Sequence, residues 1–329
     1  MNKKFEFTGE TKAILGNTLH RIRALISFGE VGAGELGGWI EKEENLDASG
    51  NAWVYGNAQV YGNAQVSGNA QVYGNACVYG DAWVSGNARV YGIAWVSGNA
   101  RVYGIARVDG NAWVFGNARV YGNARVYGDA RVSGNARVSG NARVYGDARV
   151  SGNAWVYGDA WVFDNARVDG DACVYGDACV YGNAWVYGIA RVDGNAWVYG
   201  NAWVYGNARV YGNARLSGNA WVCGNARVYG DARVYGDARV DGDARVYKCG
   251  AIFWISNVGS RDDTATFFAC RDKKIKVIVG CFFGDLDEFA AAVQKTHGDN
   301  THAKVYRLAI EMAKERIKMD DMPEESNDG

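Results

Sequence analysis

The chain has 329 residues, of which 48% are hydrophobic, and its formal net charge is −1. This composition is typical of a protein with a sizeable core, and it lacks the basic excess of most nucleic-acid-binding proteins. No run of about 18 apolar residues occurs, and the N-terminal sequence MNKKFEFTGE lacks the hydrophobic segment of a secretory signal. We therefore expect a cytoplasmic protein without a membrane span.

Residues 1–50 are the first predicted region. They combine short strand-like runs such as KKFEF with glycine turns, and NLDASG at 45–50 already follows the phase of the repeat that comes next. Stacked strands leave unpaired edges at the ends of a repeat, and such edges invite end-to-end association unless they are covered. We predict that residues 1–50 are an N-terminal cap.

Residues 51–248 consist of 33 consecutive six-residue units without insertion, each of the form N/D-A-x-V-x-G. The second position is always Ala, the fourth is Val except at Leu216, and the sixth is Gly except at Asp164 and Lys248. The first position is Asn in 21 units and Asp in nine. It is Ile at Ile93, Ile105 and Ile189. Self-similarity at a fixed period predicts a solenoid.

Within a unit, Ala-x-Val-x is predicted to be a four-residue strand that turns Ala and Val to one face. Gly and the following Asn or Asp are predicted to form a corner, because these residues tolerate a positive φ. The three Ile residues are unexplained by this argument, since a β-branched residue is disfavoured at positive φ. Three strands and three corners close a triangular coil, so the 33 units predict about 11 coils.

The units resemble the hexapeptide repeat of left-handed parallel β-helix proteins, the fold of many bacterial acyltransferases. The resemblance implies an all-β solenoid, namely a left-handed triangular parallel β-helix, and assembly into a homotrimer, although the spacing alone permits either handedness. The flanking segments resemble those of uncharacterised phage and prophage β-helix proteins, which brings no known activity. These segments are LHRIRALISFGEVGAGELGGWIEKEENL before the repeat, and VGSRDDTATFF and GCFFGDLDEF after it.

Outward residues one coil apart are predicted to be neighbours on one face. Like charges about 4.8 Å apart repel each other unless tyrosine, aspartate or a bound anion offsets the repulsion. Such ladders are either an anion-binding surface or a shield of long side chains over the sheet, and the near-neutral net charge favours the shield. The predicted ladders are Arg89, Arg107, Arg125 and Arg143 on one face, Arg101, Arg119 and Arg137 on a second, and Arg131, Arg149 and Arg167 on a third.

Charge and aromatic residues are unevenly distributed along the repeat. Residues 87–150 contain nine Arg and three Asp, whereas residues 151–206 contain two Arg, six Asp and five Trp. The tryptophan-rich part is either a contact surface for another subunit or a set of stacked cross-strand pairs. The seven cysteines lack CxxC spacing, which favours free thiols. Cys173 and Cys179 are predicted to lie on different faces, so neither a disulfide nor a metal site is expected.

The segment after the repeat predicts an α+β domain over residues 249–319 and a disordered acidic tail over 320–329. AIFWISNV, TATFFAC and KIKVIVGCFF predict three strands. A helix is predicted with Asp285 as N-cap, Glu288 at its third position and Gly298 past its end. Thr301 is predicted to cap a second helix with an apolar stripe. The stripe comprises Val305, Leu308, Ala309, Met312, Ala313 and Ile317.

The strongest candidate site is the turn sequence GSRDDTATF at residues 259–267. An arginine, several hydroxyl groups and turn amides can hold an anionic ligand. A solvated turn followed by alternating strand threonines explains the same residues and is favoured. The candidate ligand-binding residues are Ser260, Arg261, Thr264 and Thr266.

The sequence predicts no catalytic residues, no metal and no cofactor. Acyltransferases of this fold use a histidine base and its carbonic anhydrases hold zinc through three histidines, whereas the only histidines here, His20, His297 and His302, lie outside the repeat. No GxxxxGK[ST], GxSxG or HExxH motif occurs. His297 and His302 flank GDNT, where a polar turn is favoured over a metal site.

We therefore expect a non-enzymatic scaffold, encoded by a phage or prophage, that displays a C-terminal ligand- or protein-binding domain. The alternative hypothesis is an anti-defence protein that sequesters an anionic small molecule, such as a nucleotide signal. It would bind the ligand at the C-terminal domain or along the arginine ladders. A relative of the acyltransferases is a third hypothesis, and nucleic acid is disfavoured as a partner.

Overall fold

The computed structural model describes residues 3–319, so the predicted acidic tail at 320–329 and the first two residues lie outside the described part. The chain divides into two compact units, residues 1–171 and 172–329. In both units the six-residue repeat forms a parallel β-solenoid. The second unit also contains a domain with one sheet and two helices. The predicted fold class is thereby confirmed as a β-solenoid with an N-terminal part and a small C-terminal α+β domain.

The first unit begins with three strands, β1 (Phe5–Ile14), β2 (Asn17–Ala24) and β3 (Leu36–Ile40). Strand β1 pairs antiparallel with β2, and β2 antiparallel with β3. Strand β3 then pairs in parallel with Gln59–Val60 of the repeat. The N-terminal part thus continues a sheet of the solenoid past its first coil.

Lys4 connects this N-terminal part to the start of the repeat. Its ammonium donates hydrogen bonds to the carbonyl oxygens of Asp47, at 3.2 Å, and Ala52, at 2.7 Å. Burial lowers the pKa of Lys4 to about 8, against the opposing charge of Asp47. Leu46 is buried and bridges in parallel to Val66. In the repeat phase Ala48 would lie opposite Val66, but Leu46 takes that place and Ala48 is exposed, so the predicted phase of residues 45–50 is wrong by two residues at Leu46.

The repeat contains strands β4 to β36, which are 33 two-residue strands at six-residue intervals from Trp53–Val54 to Arg245–Val246. Within each of the two compact units, a repeat strand pairs with the strands one coil before and one coil after it. Arg107–Val108, for example, pairs with Arg89–Val90 and with Arg125–Val126. The strands are shorter than the predicted four residues, since only the third and fourth positions of each six-residue repeat are in a β-strand. The fifth position still donates to the next coil, as Tyr91 N does to Val108 O at 2.9 Å.

The interior contains the Ala and Val columns that the sequence predicts. Every residue at the second and fourth positions of the repeat is at most 1% exposed. Full burial of one Val contributes about 1.5–3 kcal/mol before the entropy of ordering the chain. Ala and Val therefore determine the coil, and the third and fifth positions remain available for surface chemistry.

The corners differ from the prediction in one respect. Glycine at the sixth position has the positive φ, as at Gly122 with +67°, whereas none of the corner Asn, Asp or Ile residues that follow does so within residues 3–319. A Cβ at Gly122 would also lie 3.1 Å from Gly140 N on the next coil. The Ile residues, such as Ile105, are consequently unstrained, which explains why a β-branched residue is tolerated at this corner position.

The two exceptions at the sixth position behave differently from each other. Asp164 keeps the left-handed backbone of the glycines, with φ of +56°. Lys248 is extended, with φ of −154°, and a short 3₁₀ turn follows it. The repeat therefore continues through Asp164 and ends at Lys248.

The corner asparagines form hydrogen-bonded ladders on the surface. Asn117 Nδ2 donates to Asn135 Oδ1 at 3.0 Å, and Asn135 and Asn153 donate onward at 2.9 Å, with Asp171 as the last acceptor. A carboxylate accepts but cannot donate, so this ladder ends at Asp171. An isoleucine can do neither, and each Ile corner interrupts its ladder.

The C-terminal domain has four antiparallel strands in sequence order, β37 (Ile252–Val258), β38 (Asp263–Ala269), β39 (Ile275–Val279) and β40 (Phe282–Asp285). The predicted three strands were one too few. Gly280, with φ of +57°, begins a tight turn that splits KIKVIVGCFF into two strands.

Two helices follow, α1 (Leu286–His297) and α2 (Thr301–Arg316). The predicted N-cap of α1 is confirmed, because the Asp285 side chain accepts from the backbone of Glu288, whose own side chain accepts from Asp285 N. Gly298 ends the helix as predicted. The N-cap of α2 is Asn300, not Thr301, because the Asn300 side chain accepts from Ala303 N at 3.0 Å.

The predicted apolar stripe of α2 is wrong in part. Leu308 is 66% exposed and Met312 is 52% exposed. The helix instead turns Tyr306 and Ile310 inward, where the Tyr306 ring meets Phe289 of α1 edge-on at 5.3 Å. Its buried residues are Ala303, Tyr306, Ala309, Ile310 and Ala313.

Within the second unit, the four-stranded sheet covers the last coils of the repeat. Thr266 Oγ1 accepts a hydrogen bond from Arg239 N at 3.0 Å, and Arg271 N donates to Asp243 O at 3.1 Å. The Trp254 ring packs edge-on against Tyr235 with centroids 4.4 Å apart. The sheet therefore satisfies backbone groups that the end of a solenoid leaves unpaired.

None of the helices among residues 3–319 is long and apolar enough to cross a membrane.

Candidate functional site

The structure separates the four residues that the sequence proposes as a ligand site. Ser260 and Arg261 are exposed in the turn between β37 and β38. Thr264 donates its hydroxyl to Ser256 Oγ at 2.9 Å on the surface of the sheet. Thr266 is fully buried and bonded to Arg239 N. Only Ser260 and Arg261 therefore reach a common cavity, and Thr266 has a structural partner instead.

That cavity is a cleft of about 310 Å³ between the sheet and the two helices, which we call the C-terminal cleft. Its floor is apolar and its rim is polar. The apolar lining is Val279, Phe282, Phe289, Ala292 and Val293. The other lining residues are Ser260, Arg261, Asp263, Gly280, Cys281, Thr296, His297 and Tyr306.

Tyr306 joins the turn to the helices. Gly259 has φ of +77°, and a Cβ at this position would overlap the Tyr306 hydroxyl. Burial, with a smaller contribution from the Asp263 carboxylate, raises the pKa of Tyr306. Tyr306 therefore stays neutral and holds the 259–262 turn against α2, which positions Ser260 and Arg261 at the rim.

Two aromatic rings lie among the apolar residues of the cleft floor. Phe282 and Phe289 have centroids 5.1 Å apart, and Phe289 also contacts Tyr306. Such a floor accommodates a flat apolar group, while the Arg261 guanidinium and the Ser260 hydroxyl can bind an anionic group. Sequence reasoning found Arg261 in the segment that also contains Asp263, but it could not place His297 or Tyr306 beside this segment, because only the tertiary fold brings the helices to it.

The chemistry of the remaining polar residues is limited. Cys281 and His297 both line the cleft, but no hydrogen bond joins them within residues 3–319. His297 and His302 have ring centroids 5.7 Å apart. No group of three or more His, Cys, Asp or Glu in the described part of the chain is arranged to hold a metal ion.

The arginine ladders have the register that the sequence predicts. Arg107 pairs with Arg89 and Arg125. The remaining pairs are Arg125 with Arg143, Arg101 with Arg119, Arg119 with Arg137, Arg131 with Arg149, and Arg149 with Arg167. Two unit charges at a strand spacing of about 4.8 Å repel by about 1 kcal/mol in water.

Tryptophans flank several arginines of these ladders. The guanidinium carbon of Arg101 lies 5.7 Å from the Trp83 ring centroid, and that of Arg137 lies 4.6 Å from the Trp155 centroid. Arg143 and Trp161 are similarly placed at 4.7 Å. Cation–π contacts of this kind contribute about 0.5–1 kcal/mol at exposed sites. No arginine between residues 87 and 150 forms an ion pair with another residue of the described chain.

The aromatic side chains of the solenoid stack on one another. Trp185, Trp203 and Trp221 form one column, with centroids 5.0 and 5.3 Å apart. Tyr187 and Tyr205 stack beside them at 5.1 Å. The stacked cross-strand pairs that the sequence analysis offers for the tryptophan-rich region are therefore formed. A ring face that is already covered by a stacked neighbour cannot stack on a further planar group.

Cys173 and Cys179 occupy different sheets, as predicted, and pair with Arg191 and Trp197 respectively. None of the seven cysteines, all of which lie within residues 3–319, is in a disulfide bond. Burial raises the pKa of the Cys179 thiol, with a smaller contribution from Asp177. This makes the thiol less reactive.

The fold and the repeat define a parallel β-solenoid protein with an added α+β domain. In a comparison with protein families, the model described as the YdcK beta solenoid repeat matches ten segments, and each match begins at the Ala of a six-residue unit. The chain is therefore similar to YdcK repeats over less than half of its length. No curated protein matches the chain. The matched segments are 70–86, 82–98, 112–128, 118–134, 130–146, 142–158, 148–162, 202–218, 208–224 and 232–248.

Proposed function

We propose that this protein is a non-catalytic binding scaffold, in which the β-solenoid carries a C-terminal domain whose cleft binds a small ligand. One observation carries the proposal: Arg261 and Ser260 line an open cleft of about 310 Å³ whose apolar lining includes Phe282 and Phe289. A cleft with an apolar floor and a few convergent polar groups is the usual form of a small-molecule site. The ligand class it fits has a flat apolar part and an anionic group.

The scaffold role rests on how the domain is fixed in the second unit. The sheet takes a backbone hydrogen bond from Arg239 through buried Thr266, and it places Trp254 against Tyr235. The opposite side of the sheet faces the helices, since the ring centroids of Phe267 in β38 and Phe289 in α1 are 6.1 Å apart. The solenoid thus supports one face of the sheet, and the cleft lies on the other.

The non-catalytic role is supported by the polar groups of the cleft. A nucleophile and its base normally lie within hydrogen-bonding reach of each other. Cys281 and His297 do not form such a bond within the described residues. No histidine lies in the repeat, where the acyltransferases of the resembled fold have their base.

The second candidate function is sequestration of an anionic small molecule such as a nucleotide signal, by a phage-encoded anti-defence protein. The Phe282 and Phe289 rings favour a nucleobase, the Arg261 guanidinium a phosphate and the Asp263 carboxylate a ribose hydroxyl. The phage origin rests on the resemblance of the flanking segments. A scaffold that displays a ligand site and a sequestering protein share the cleft, and they differ in affinity and in biological role.

The test is native mass spectrometry of the full chain after incubation with a nucleotide extract. We expect a retained species in the wild-type protein and its loss in Arg261→Ala. The matched control is Arg316→Ala, which removes the same charge from an exposed residue of α2 that does not line the cleft. The absence of any retained species, or equal loss in both variants, contradicts ligand binding at the cleft.

Assembly into a homotrimer is also part of the proposal. The stacked column of Trp185, Trp203 and Trp221 is the apolar surface that the second unit offers to another subunit. We expect a trimer mass in native mass spectrometry and monomers after Trp203→Glu. A monomeric wild-type protein at micromolar concentration rules out the trimer.

A further inference from the structure

One face of the first unit differs from the other two in its charge. Residues 99–105, 117–123 and 135–141 build this face, and they contain neither Asp nor Glu. Their outward arginines are Arg101, Arg119 and Arg137, so we call it the acid-free arginine face. On the other faces, acidic residues lie within the arginine-bearing units, such as Asp109 beside Arg107 and Asp129 before Arg131.

The guanidinium groups of this face form no ion pair with an acidic residue between 3 and 319. Arg101 pairs in register with Arg119, and Arg119 with Arg137. Arg101 and Arg119 are exposed, and neither forms a hydrogen bond or an ion pair through its side chain with any other residue between 3 and 319. Adjacent like charges at the strand spacing of about 4.8 Å repel each other and are stabilised by a bound anion.

A groove of about 180 Å³ lies at one end of this face, lined by Arg101, Tyr103 and Arg119 of the face and by Trp83 and Ser85 of the preceding coil, whose repeat begins at Asp81. The groove arises because Ser85 is small where the next two coils carry Tyr103 and Tyr121. Both arginines of the groove belong to the ladder. An anion that enters here meets two guanidinium groups and the hydroxyl groups of Ser85 and Tyr103.

The aromatic rings of the face restrict which polyanion it fits. Single-stranded nucleic acids bind through successive bases stacked on uncovered aromatic rings. Here Tyr103 and Tyr121 cover each other, with centroids 5.0 Å apart and planes within 2°. Arg101 lies over one face of the Trp83 ring, and Trp83 as a whole remains 42% exposed. The face therefore offers a row of positive charges without a row of stacking platforms.

We propose that the acid-free arginine face binds a linear, base-free phosphate chain, aligned along the ladder and entering the groove at Arg101 and Arg119. The phosphate chain is recognised by its negative charge and by the spacing of its anionic oxygens. This site is separate from the C-terminal cleft and does not depend on the function proposed there.

The experiment is isothermal titration calorimetry of the full chain with orthophosphate, tripolyphosphate and a longer linear polyphosphate. We expect affinity to rise with chain length and to fall with added salt, because each added phosphate engages a further guanidinium. The double variant Arg101→Gln/Arg119→Gln removes two charge-assisted hydrogen bonds to phosphate oxygens and is expected to lose about tenfold in affinity or more.

A matched control exists in the second unit. Arg191 and Arg209 are also paired neighbours, but Asp193 lies beside them. The double variant Arg191→Gln/Arg209→Gln removes the same charge, and its affinity is expected to change by less than about twofold. An equal loss in both double variants shows a general charge effect and overturns the proposal.

Two further arms complete the test. Ser85→Tyr fills the groove without changing the charge and is expected to weaken tripolyphosphate binding; full affinity in a folded Ser85→Tyr protein contradicts binding in the groove. An oligodeoxythymidylate of matched charge is expected to bind more weakly than the polyphosphate. Tighter binding of this oligonucleotide overturns the base-free assignment, as does affinity that is independent of phosphate chain length.

Discussion

The repeat and the C-terminal domain determine the environment of a side chain in two different ways. In the repeat, position within the six-residue unit decides burial, and all Ala and Val residues at the second and fourth positions are buried. In the C-terminal domain the same residue type has two environments two positions apart, since Thr264 is half-buried at the surface and Thr266 is fully buried. The repeat is therefore sensitive to phase, and the domain to individual contacts.

The largest expected effect is a change of phase. One residue inserted after Gly122 moves every later Val of the coil out of its inward register. Each Val turned outward loses about 1.5–3 kcal/mol, and a few of them exceed the 5–15 kcal/mol that typically stabilises a domain. We expect the solenoid to lose its cooperative thermal transition, as followed by circular dichroism.

The control for this insertion is a duplication of residues 105–122, which adds one complete coil after Gly122 and preserves the phase. We expect this protein to fold with a transition near that of the wild type. An unchanged melting curve after the single insertion would refute the dependence on phase.

A smaller effect is expected at a single corner. Gly122→Ala places a Cβ on a backbone with φ of +67° and 3.1 Å from Gly140 N. Strain of this kind costs about 1–3 kcal/mol, which denaturant unfolding measures. Gly32→Ala is the control, because Gly32 has no positive φ and no atom within 4 Å of the added Cβ. Equal loss of stability in the two variants argues against the corner as the cause.

Thr266→Val tests the dependence of the C-terminal domain on a single contact, in contrast to the dependence of the repeat on its phase. The substitution keeps the shape but removes the oxygen that accepts from Arg239 N. A buried donor left without a partner costs about 1–3 kcal/mol of unfolding free energy. Thr264→Val makes the same change on the same strand and loses only a surface bond to Ser256, so we expect at most about 0.5 kcal/mol. Equal effects of the two variants exclude a special role for Thr266.

Prediction from sequence succeeded where local rules repeat and failed where tertiary contacts decide. The Ala and Val columns and the arginine register followed from periodicity alone. The helical period of α2 could not show that Tyr306 packs against Phe289, so Leu308 and Met312 were assigned to the wrong side. The C-terminal cleft was only half predicted, since Arg261 and Asp263 are in the segment that the sequence singles out, but His297 and Tyr306 join it through the fold.

The smallest predicted effect concerns the Ile corners and has the opposite sign. Ile105 is 53% exposed and stands between Asn87 and Asn123 in its column. Because its φ is not positive, Asn fits the same backbone and can accept from one neighbour and donate to the other, as Asn135 does with Asn117 and Asn153. We expect Ile105→Asn to raise the unfolding free energy by about 0.5 kcal/mol relative to Ile105→Ala, which removes the apolar side chain without joining the ladder. If the two variants unfold at the same denaturant concentration, the asparagine ladder does not stabilise the corners, and their geometry rests on the glycine φ and the backbone hydrogen bonds alone.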